Sequence, residues 1–266
     1  MKTMKTMYRV VLTAITVALL MTSIPAPVSA NDTDARIESA AKDSYVFRKY
    51  LKEDAIQIES KDGAVTLTGT VAEESHQSMA QETVASLPGV KSVDNRLALK
   101  GESVAEKSDL WVSMKVKTTL LLHRNVNLMT EVDTKDGIVT LQGEAKNQAQ
   151  KDLTTEYVKD VEGVKDVQNE MTISTNPDEK TMGEKIEAVG ESIDDASITA
   201  LVKMTLLYHR STSAVHTKVE TANGVVTLEG TARNAAEIDL VSKYVQDVHG
   251  VQSVVNNITI KPLETK

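Results

Sequence analysis

The sequence contains no cysteine and few aromatic residues, and both absences narrow the range of functions. Without cysteine the chain has no disulfide bond, no cysteine-ligated metal centre and no thiol nucleophile. Aromatic residues make up 3% of the 266 residues, with one tryptophan and one phenylalanine, which is poor material for stacking nucleic-acid bases. The net charge of −8 opposes binding to polyanions, so we expect no nucleic-acid partner. With 41% hydrophobic and 26% charged residues, the composition indicates a globular protein.

Long hydrophobic runs are also scarce, and the clearest one lies near the N-terminus. Cationic residues precede an apolar run at 10–21, and Val28-Ser29-Ala30 places small residues at a cleavage position. A run of about 12 residues is shorter than the roughly 20 that a membrane-spanning helix needs, and this order of regions is typical of a secretory signal peptide. We predict that residues 1–30 are a signal peptide cleaved after Ala30, and an uncleaved N-terminal anchor is the alternative. No cysteine is present to make it a lipoprotein signal.

The same pattern occurs three times along the chain. Asp-Gly-Ala-Val-Thr-Leu-Thr-Gly, Asp-Gly-Ile-Val-Thr-Leu-Gln-Gly and Asn-Gly-Val-Val-Thr-Leu-Glu-Gly are its central blocks, and a later Gly-Val-x-x-Val-x-Asn block follows each of them. The glycines of the three copies are Gly63, Gly69 and Gly89; Gly137, Gly143 and Gly163; and Gly224, Gly230 and Gly250. Because the nine glycines recur at matched places, we interpret them as structural turn residues and the chain as an internal repeat.

Each copy predicts the element order α-β-β-α-β. Apolar residues spaced by four indicate an opening helix behind acidic N-cap candidates. Those candidates are Asp34, Asp109 and Asp194–Asp195. The Asp-Gly or Asn-Gly pair is typical of a type I′ hairpin turn, so the first two strands should be antiparallel. A second helix then fills the gap to the third glycine, which we expect to end it as an αL cap. The last strand follows a right-handed crossover.

The sequence therefore predicts an α+β fold of three tandem small modules, each with two helices packed on a three-stranded mixed sheet. The predicted domains are 31–100, 107–175 and 193–262, and a polar linker at 176–192 separates the last two. A domain of roughly 65 residues buries only about 60% of its unfolded surface. We therefore expect the modules to pack against one another.

The helix rows, the Asp/Asn-Gly-x-Val-Thr-Leu-x-Gly block and the Gly-Val-x-x-Val-x-Asn block resemble the BON domain family, in three tandem copies. The resemblance implies the α-β-β-α-β fold, a periplasmic location and no cofactor. It also implies binding to phospholipid surfaces or envelope proteins, with chaperone-like or stress-related roles. Fold alone does not establish function, so these partners are expectations.

No catalytic or metal-binding motif accompanies the repeats. The histidines lack a spacing suited to zinc, and no nucleophile elbow or phosphate-binding loop is present. His123 and His209 occupy equivalent places before an arginine at the end of the first helix, where we interpret them as cations that complement the helix dipole. We expect no catalytic residues, no metal site and no enzymatic activity.

One stretch differs from the acidic background. Residues 107–124 carry four cations against one carboxylate, a local charge of +3. The helix they form is apolar beyond one face, and we predict that it contacts a lipid or a partner. The candidate contact residues are Trp111, Lys115, Lys117, Leu122 and Arg124. Contact with an anionic membrane surface would suit the tryptophan and the cations. Packing against another module is the alternative, and the third copy favours it because its first helix has the same apolar excess without the basic excess.

These observations lead to a predicted function with one alternative. We predict a non-enzymatic periplasmic binding protein that contacts an anionic phospholipid surface or unfolded outer-membrane and other envelope proteins. The resemblance associates that role with osmotic or envelope stress. The alternative is a structural protein–protein interaction module that binds no lipid and adds a partner strand at an exposed sheet edge.

Overall fold

The computed structural model describes residues 30–101, 108–126, 130–174, 192–213 and 216–261. Nearly all of the predicted signal peptide and nearly all of the predicted linker lie outside these ranges. Within them the α-β-β-α-β order recurs three times, which confirms the predicted α+β class. We call the three units the first, second and third copies.

The helices and strands have the following bounds. The first copy comprises α1 (Ala30–Asp43), α2 (Tyr45–Lys49), β1 (Ala55–Lys61), β2 (Ala64–Val71), α3 (Glu74–Ala85) and β3 (Ser92–Leu99). The second copy comprises α4 (Asp109–Leu122), β4 (Glu131–Lys135), β5 (Ile138–Gln142), β6 (Glu144–Ala145), α5 (Gln148–Lys159), β7 (Asp166–Asn169) and β8 (Thr172–Ile173). The third copy comprises α6 (Asp195–Tyr208), α7 (Arg210–Ser213), β9 (His216–Ala222), β10 (Val225–Ala232), α8 (Ala235–Gln246) and β11 (Ser253–Ile260).

The sheets have the predicted mixed topology. In the first copy the central strand β2 pairs antiparallel with β1 and parallel with β3. The third copy repeats this arrangement around β10, and the second copy divides it between a three-stranded sheet and the short β6–β8 pair. Asp62 and Gly63 both have positive φ, at 54° and 81°, as a type I′ turn requires. The predicted hairpin turns are confirmed, because the equivalent pairs in the other copies have the same signs of φ.

The acidic residues before the first helices mostly do not act as N-caps. Ser108 caps α4 instead, and the carboxylate of Asp109 accepts hydrogen bonds from the backbone N–H groups of Asp136 at 2.8 Å and Gly137 at 2.9 Å. Asp34 and Asp195 bind the hairpin turns of their own copies in the same way. Of the predicted candidates, Asp194 is a cap, because its side chain accepts from the N–H of Ser197. Each first helix is thus fastened to the sheet through its hairpin turn.

The third glycine of each copy ends no helix, contrary to the prediction. Asp160 is the C-cap residue of α5, and Gly163 lies three residues beyond it with φ of 91°. A Cβ atom on Gly163 would lie 2.8 Å from Cγ2 of Val112 in the first helix of the same copy. The glycine therefore allows the loop after the second helix to approach the first helix closely.

The copies pack into one body around the first helix of the third copy. The first and third copies share one hydrophobic core, in which α3 packs on α6. Helix α1 stops before Ser44, and the break directs the N–H of Tyr45 to Asp194 at 2.7 Å and the N–H of Val46 to Ser197 at 3.0 Å. The second copy has its own core, which Tyr244 of the third copy completes. The expectation that the modules pack together is therefore confirmed.

Candidate functional site

The structure places the five predicted contact residues in two different environments. Leu122 is fully buried and belongs to the core that the first and third copies share. Arg124 donates its backbone N–H to the carbonyl of Asp247 at 2.9 Å and its guanidinium to the carbonyl of Val251 at 3.3 Å. Both residues therefore contact the third copy of the same chain, and Leu122 is closed to an outside partner, whereas the Arg124 side chain is 27% exposed. Trp111, Lys115 and Lys117 remain on accessible parts of α4.

A buried polar cluster joins the second copy to the third. The Nε2 atoms of His123 and His209 lie 2.9 Å apart. The His123 ring stacks on Tyr157 at 3.8 Å between centroids, and the His209 ring stacks on Tyr244 at 4.0 Å. Each tyrosine donates its hydroxyl to a carboxylate of the opposite copy. We call these residues the histidine–tyrosine cluster: His123, Tyr157 and Asp160 of the second copy with His209, Tyr244 and Asp247 of the third.

The electrostatics of this cluster correct the interpretation of His123. His123 and His209 do follow the last residues of α4 and α6, as predicted, and both are fully buried. Burial lowers the pKa of His123, so its imidazole is neutral at pH 7 and does not act as a cation toward the helix dipole. Burial also lowers the pKa of the neighbouring His249 to about 4. Within the described residues, no group of three or more histidine or carboxylate side chains has a metal-binding arrangement.

The accessible residues of α4 line a cleft at which all three copies meet. Its volume is about 420 Å³. We call it the three-copy cleft, and its lining residues are Glu73, Glu74, Ser75, Ser78, Trp111, Met114, Lys115, Thr118, Glu162, Leu207 and Tyr208. A second cavity of about 720 Å³ shares Glu73, Ser75 and Thr118 with it, and Lys117 lines that cavity.

The charge of the three-copy cleft differs from what α4 alone suggests. Lys115 places its Nζ atom 4.1 Å from the centre of the Trp111 ring and 3.0 Å from a carboxylate oxygen of Glu162. Glu73 and Glu74 come from the first copy, and together with burial they raise the pKa of the Tyr208 hydroxyl. Three carboxylates and one lysine therefore line the cleft, so the cleft is not basic although the stretch 107–124 is.

The walls of the three-copy cleft combine apolar and polar side chains in similar measure. Trp111 and Met114 are partly buried there, and Leu207 is 56% exposed. A cleft lined by apolar side chains and by three carboxylates against one lysine suits a segment that carries apolar side chains and a basic residue. Sequence analysis did not assign Glu73, Glu74 or Leu207 to this site, because they come from the first and third copies. The apolar excess of α6 was the one signal that pointed to Leu207.

None of the helices in the described ranges is long and apolar enough to cross a membrane.

Comparison with known proteins places these features among relatives. The sequence model of the BON domain matches residues 33–101, 108–175 and 194–262. Osmotically-inducible protein Y of Escherichia coli strain K12 is 29% identical over 199 residues, which cover 74% of this chain and 94% of that protein. Among solved structures, CdsD, a structural protein of the type III secretion system of Chlamydia trachomatis, is 18% identical over 88% of this chain and 94% of that one, with a TM-score of 0.24. The PrgH periplasmic domain is 11% identical over 80% of this chain and 98% of that one, with a TM-score of 0.17.

Proposed function

The chain belongs to the BON domain family, and from this membership we propose that it is a non-enzymatic envelope protein that binds exposed segments of other envelope proteins at the three-copy cleft. Its similarity to an osmotically inducible protein supports a role in osmotic or envelope stress. The predicted signal peptide and the family resemblance support a periplasmic location. Binding of unfolded segments would make the protein chaperone-like.

The composition of the three-copy cleft carries this proposal. Trp111, Met114 and Leu207 supply apolar contact area, and burial of such surface is the main source of affinity for an unfolded segment. Glu73, Glu74 and Glu162 outnumber Lys115 among the charged residues that line the cleft. Complementary charge selects partners and opposes like-charged ones. The cleft therefore favours a protein segment with basic and apolar residues over an anionic membrane.

A second candidate function, contact with an anionic phospholipid surface, rests on the outer face of α4. Leu110 is 60% exposed, and Lys117, seven residues later on the same helix face, is exposed as well. An exposed leucine beside a cation is typical of a helix that lies on a membrane surface. One cation contributes only about 1 kcal/mol near such a surface, so this contact would be weak and sensitive to salt.

The single tryptophan allows a direct test, because Trp111 lines the cleft. We expect a peptide of alternating leucine and lysine to change the Trp111 fluorescence at micromolar concentration, whereas the same peptide with glutamate in place of lysine does so much more weakly. Leu207→Ser should weaken binding about tenfold, in line with the loss of about 1.4 kcal/mol of apolar contact. Val255→Ser is the matched control, because Val255 is 45% exposed on β11 and does not line the cleft.

Two further measurements separate the candidate functions. Vesicle flotation with anionic lipid, at low and high salt, tests the outer face of α4 through Lys117→Glu. Suppression of the aggregation of an unfolded outer-membrane protein tests the cleft through Leu207→Ser. Equal binding of the lysine and glutamate peptides, together with flotation that Lys117→Glu abolishes, would replace the cleft proposal with the lipid one.

A further inference from the structure

The surface that joins the second copy to the third is built from the same residues on both sides. Each copy supplies a His-Arg pair after its first helix and a Tyr-x-x-Asp sequence at the end of its second helix. From this we infer that it is a self-complementary pairing surface that also fits a second copy of this chain. The partner in that case is the third copy of one chain seated on the second copy of another.

The contacts across this surface occur in reciprocal pairs. The hydroxyl of Tyr157 donates to Asp247 at 2.6 Å, and the hydroxyl of Tyr244 donates to Asp160 at 2.9 Å. The backbone exchanges contacts in the same way, since the N–H of Arg124 donates to the carbonyl of Asp247 at 2.9 Å and the N–H of Arg210 to that of Asp160 at 2.8 Å. An interface in which residue i contacts j, and the equivalent of j contacts the equivalent of i, is the isologous type that two-fold homodimers use.

The first copy shows that this signature is specific. At the positions equivalent to the histidine, arginine, tyrosine and aspartate it carries Arg48, Lys49, Thr83 and Ser86. It joins the third copy through other contacts, namely the backbone break at Ser44 and the salt bridge of Glu82 with Lys203 at 2.8 Å. A copy that lacks the signature therefore does not use this surface. The surface selects a partner that carries the same four residues, and another molecule of this chain offers two such surfaces.

Within one chain the pairing is favoured because the two copies are tethered. A tether provides a high effective concentration, so the chain pairs with itself unless that contact is blocked. Blocking the second copy's surface leaves the third copy's surface intact, and the reverse also holds. Two chains blocked on opposite copies therefore retain one complete pair of surfaces between them.

A complementation experiment with full-length mature chains tests this pairing between molecules. His123→Glu and His209→Glu are matched variants, and each puts a carboxylate into the buried cluster beside its aspartates. The two variants are mixed at about 0.5 mM, and the molar mass is measured by light scattering and, with one chain isotopically labelled, by native mass spectrometry. We expect a heterodimer in the mixture that exceeds the dimer fraction of either variant alone at least several-fold.

The proposal is overturned if the mixture is no more dimeric than the separate variants while both give the circular dichroism of a folded chain. If either variant does not fold, the unmutated chain decides instead. It is unfolded in concentrated urea and refolded by removal of the urea at the same concentration, so that the contact between the copies opens and forms again. Dimers that contain one labelled and one unlabelled chain support the inference, and an entirely monomeric product contradicts it.

Discussion

His123 and His209 face each other through their Nε2 atoms at 2.9 Å, and a gap of that length holds a single hydrogen. Two neutral imidazoles satisfy this contact, with one ring donating and the other accepting. Protonation of both rings would place two N–H groups and two positive charges face to face in a buried site. The contact between the second and third copies therefore depends on the proton occupancy of this pair.

We predict that the free energy of unfolding decreases as the pH falls below about 6.5. Burial lowers the pKa of His123 and His249 in the folded chain, so the unfolded chain binds more protons in this range. The stabilisation is complete above pH 6.5 and, for His249, is lost progressively down to a pH of about 4. Asp247 reduces this loss, because its carboxylate favours the protonated forms of both His123 and His249.

Urea unfolding at pH 7.5, 6 and 5 measures this decrease in the free energy of unfolding. Each histidine contributes at most about 1.4 kcal/mol per pH unit to it. His249→Gln should make the decrease shallower. His76→Gln is the control, because His76 lies in the first copy and bonds Asp54 rather than the cluster. A stability that is constant from pH 7.5 to pH 5 would contradict the prediction.

We predict that Tyr157→Phe and Tyr244→Phe each lower the free energy of unfolding by about 1–3 kcal/mol, because each removes a hydroxyl that donates to a buried carboxylate. The double variant should deviate from the sum of the two, since both tyrosines belong to one connected cluster. Chemical denaturation of the two single variants and the double variant gives the coupling energy. Two changes that add within experimental error would show that the two halves of the cluster act independently.

We predict that Gly163→Ala destabilises the chain more than Gly101→Ala does. Both glycines have positive φ, at 91° and 118°, so alanine is strained at either place. At Gly163 the new Cβ would also lie 2.8 Å from Val112, whereas at Gly101 it would meet nothing within 4 Å. Overpacking of this kind costs about 1–3 kcal/mol beyond the backbone strain. Melting temperatures of the two variants provide the comparison, and equal values would mean that the close approach to Val112 is unimportant.

We predict that Asp109→Asn lowers stability at neutral pH and that the difference from the unmutated chain narrows in acid. Hydrogen bonds from the backbone N–H groups of Asp136 and Gly137 hold the pKa of Asp109 below its usual value of 3.8. A carboxylate whose pKa is lowered in the folded state stabilises the fold above about pH 3.8. That stabilisation is lost as the pH falls through the folded-state pKa. Thermal unfolding between pH 7 and pH 3 tests this. Asp133→Asn is the control, because Asp133 is exposed on β4, and an equal effect of both changes would exclude the turn contact as the cause.

Local sequence patterns predicted the fold of each copy well. The Asp-Gly and Asn-Gly turns, the strand order and the helix positions all depend on residues close together in the chain, and these predictions are confirmed. The caps were predicted less well, because Asp109 and Ser108 are adjacent residues of similar capping tendency. Only the folded chain shows that Asp109 binds the hairpin turn instead.

These local patterns could not predict the contacts between copies. His123, Tyr157 and Asp247 are distant in sequence, and periodicity within one copy does not indicate which surface of another copy it meets. A comparison of the copies contained a usable signal, since His-Arg and Tyr-x-x-Asp recur in the second and third copies and are absent from the first. The charge of the three-copy cleft was out of reach for the same reason, because Glu73 and Glu74 line it from another copy.

Helix α6 contacts both of the other copies, and it belongs to the third copy, which follows them in the chain. A nascent chain that already contains the first two copies has neither of its two long-range docking surfaces completed. Until the third copy folds, those copies are small units with unfinished cores, so the third copy is the one that assembles the compact body.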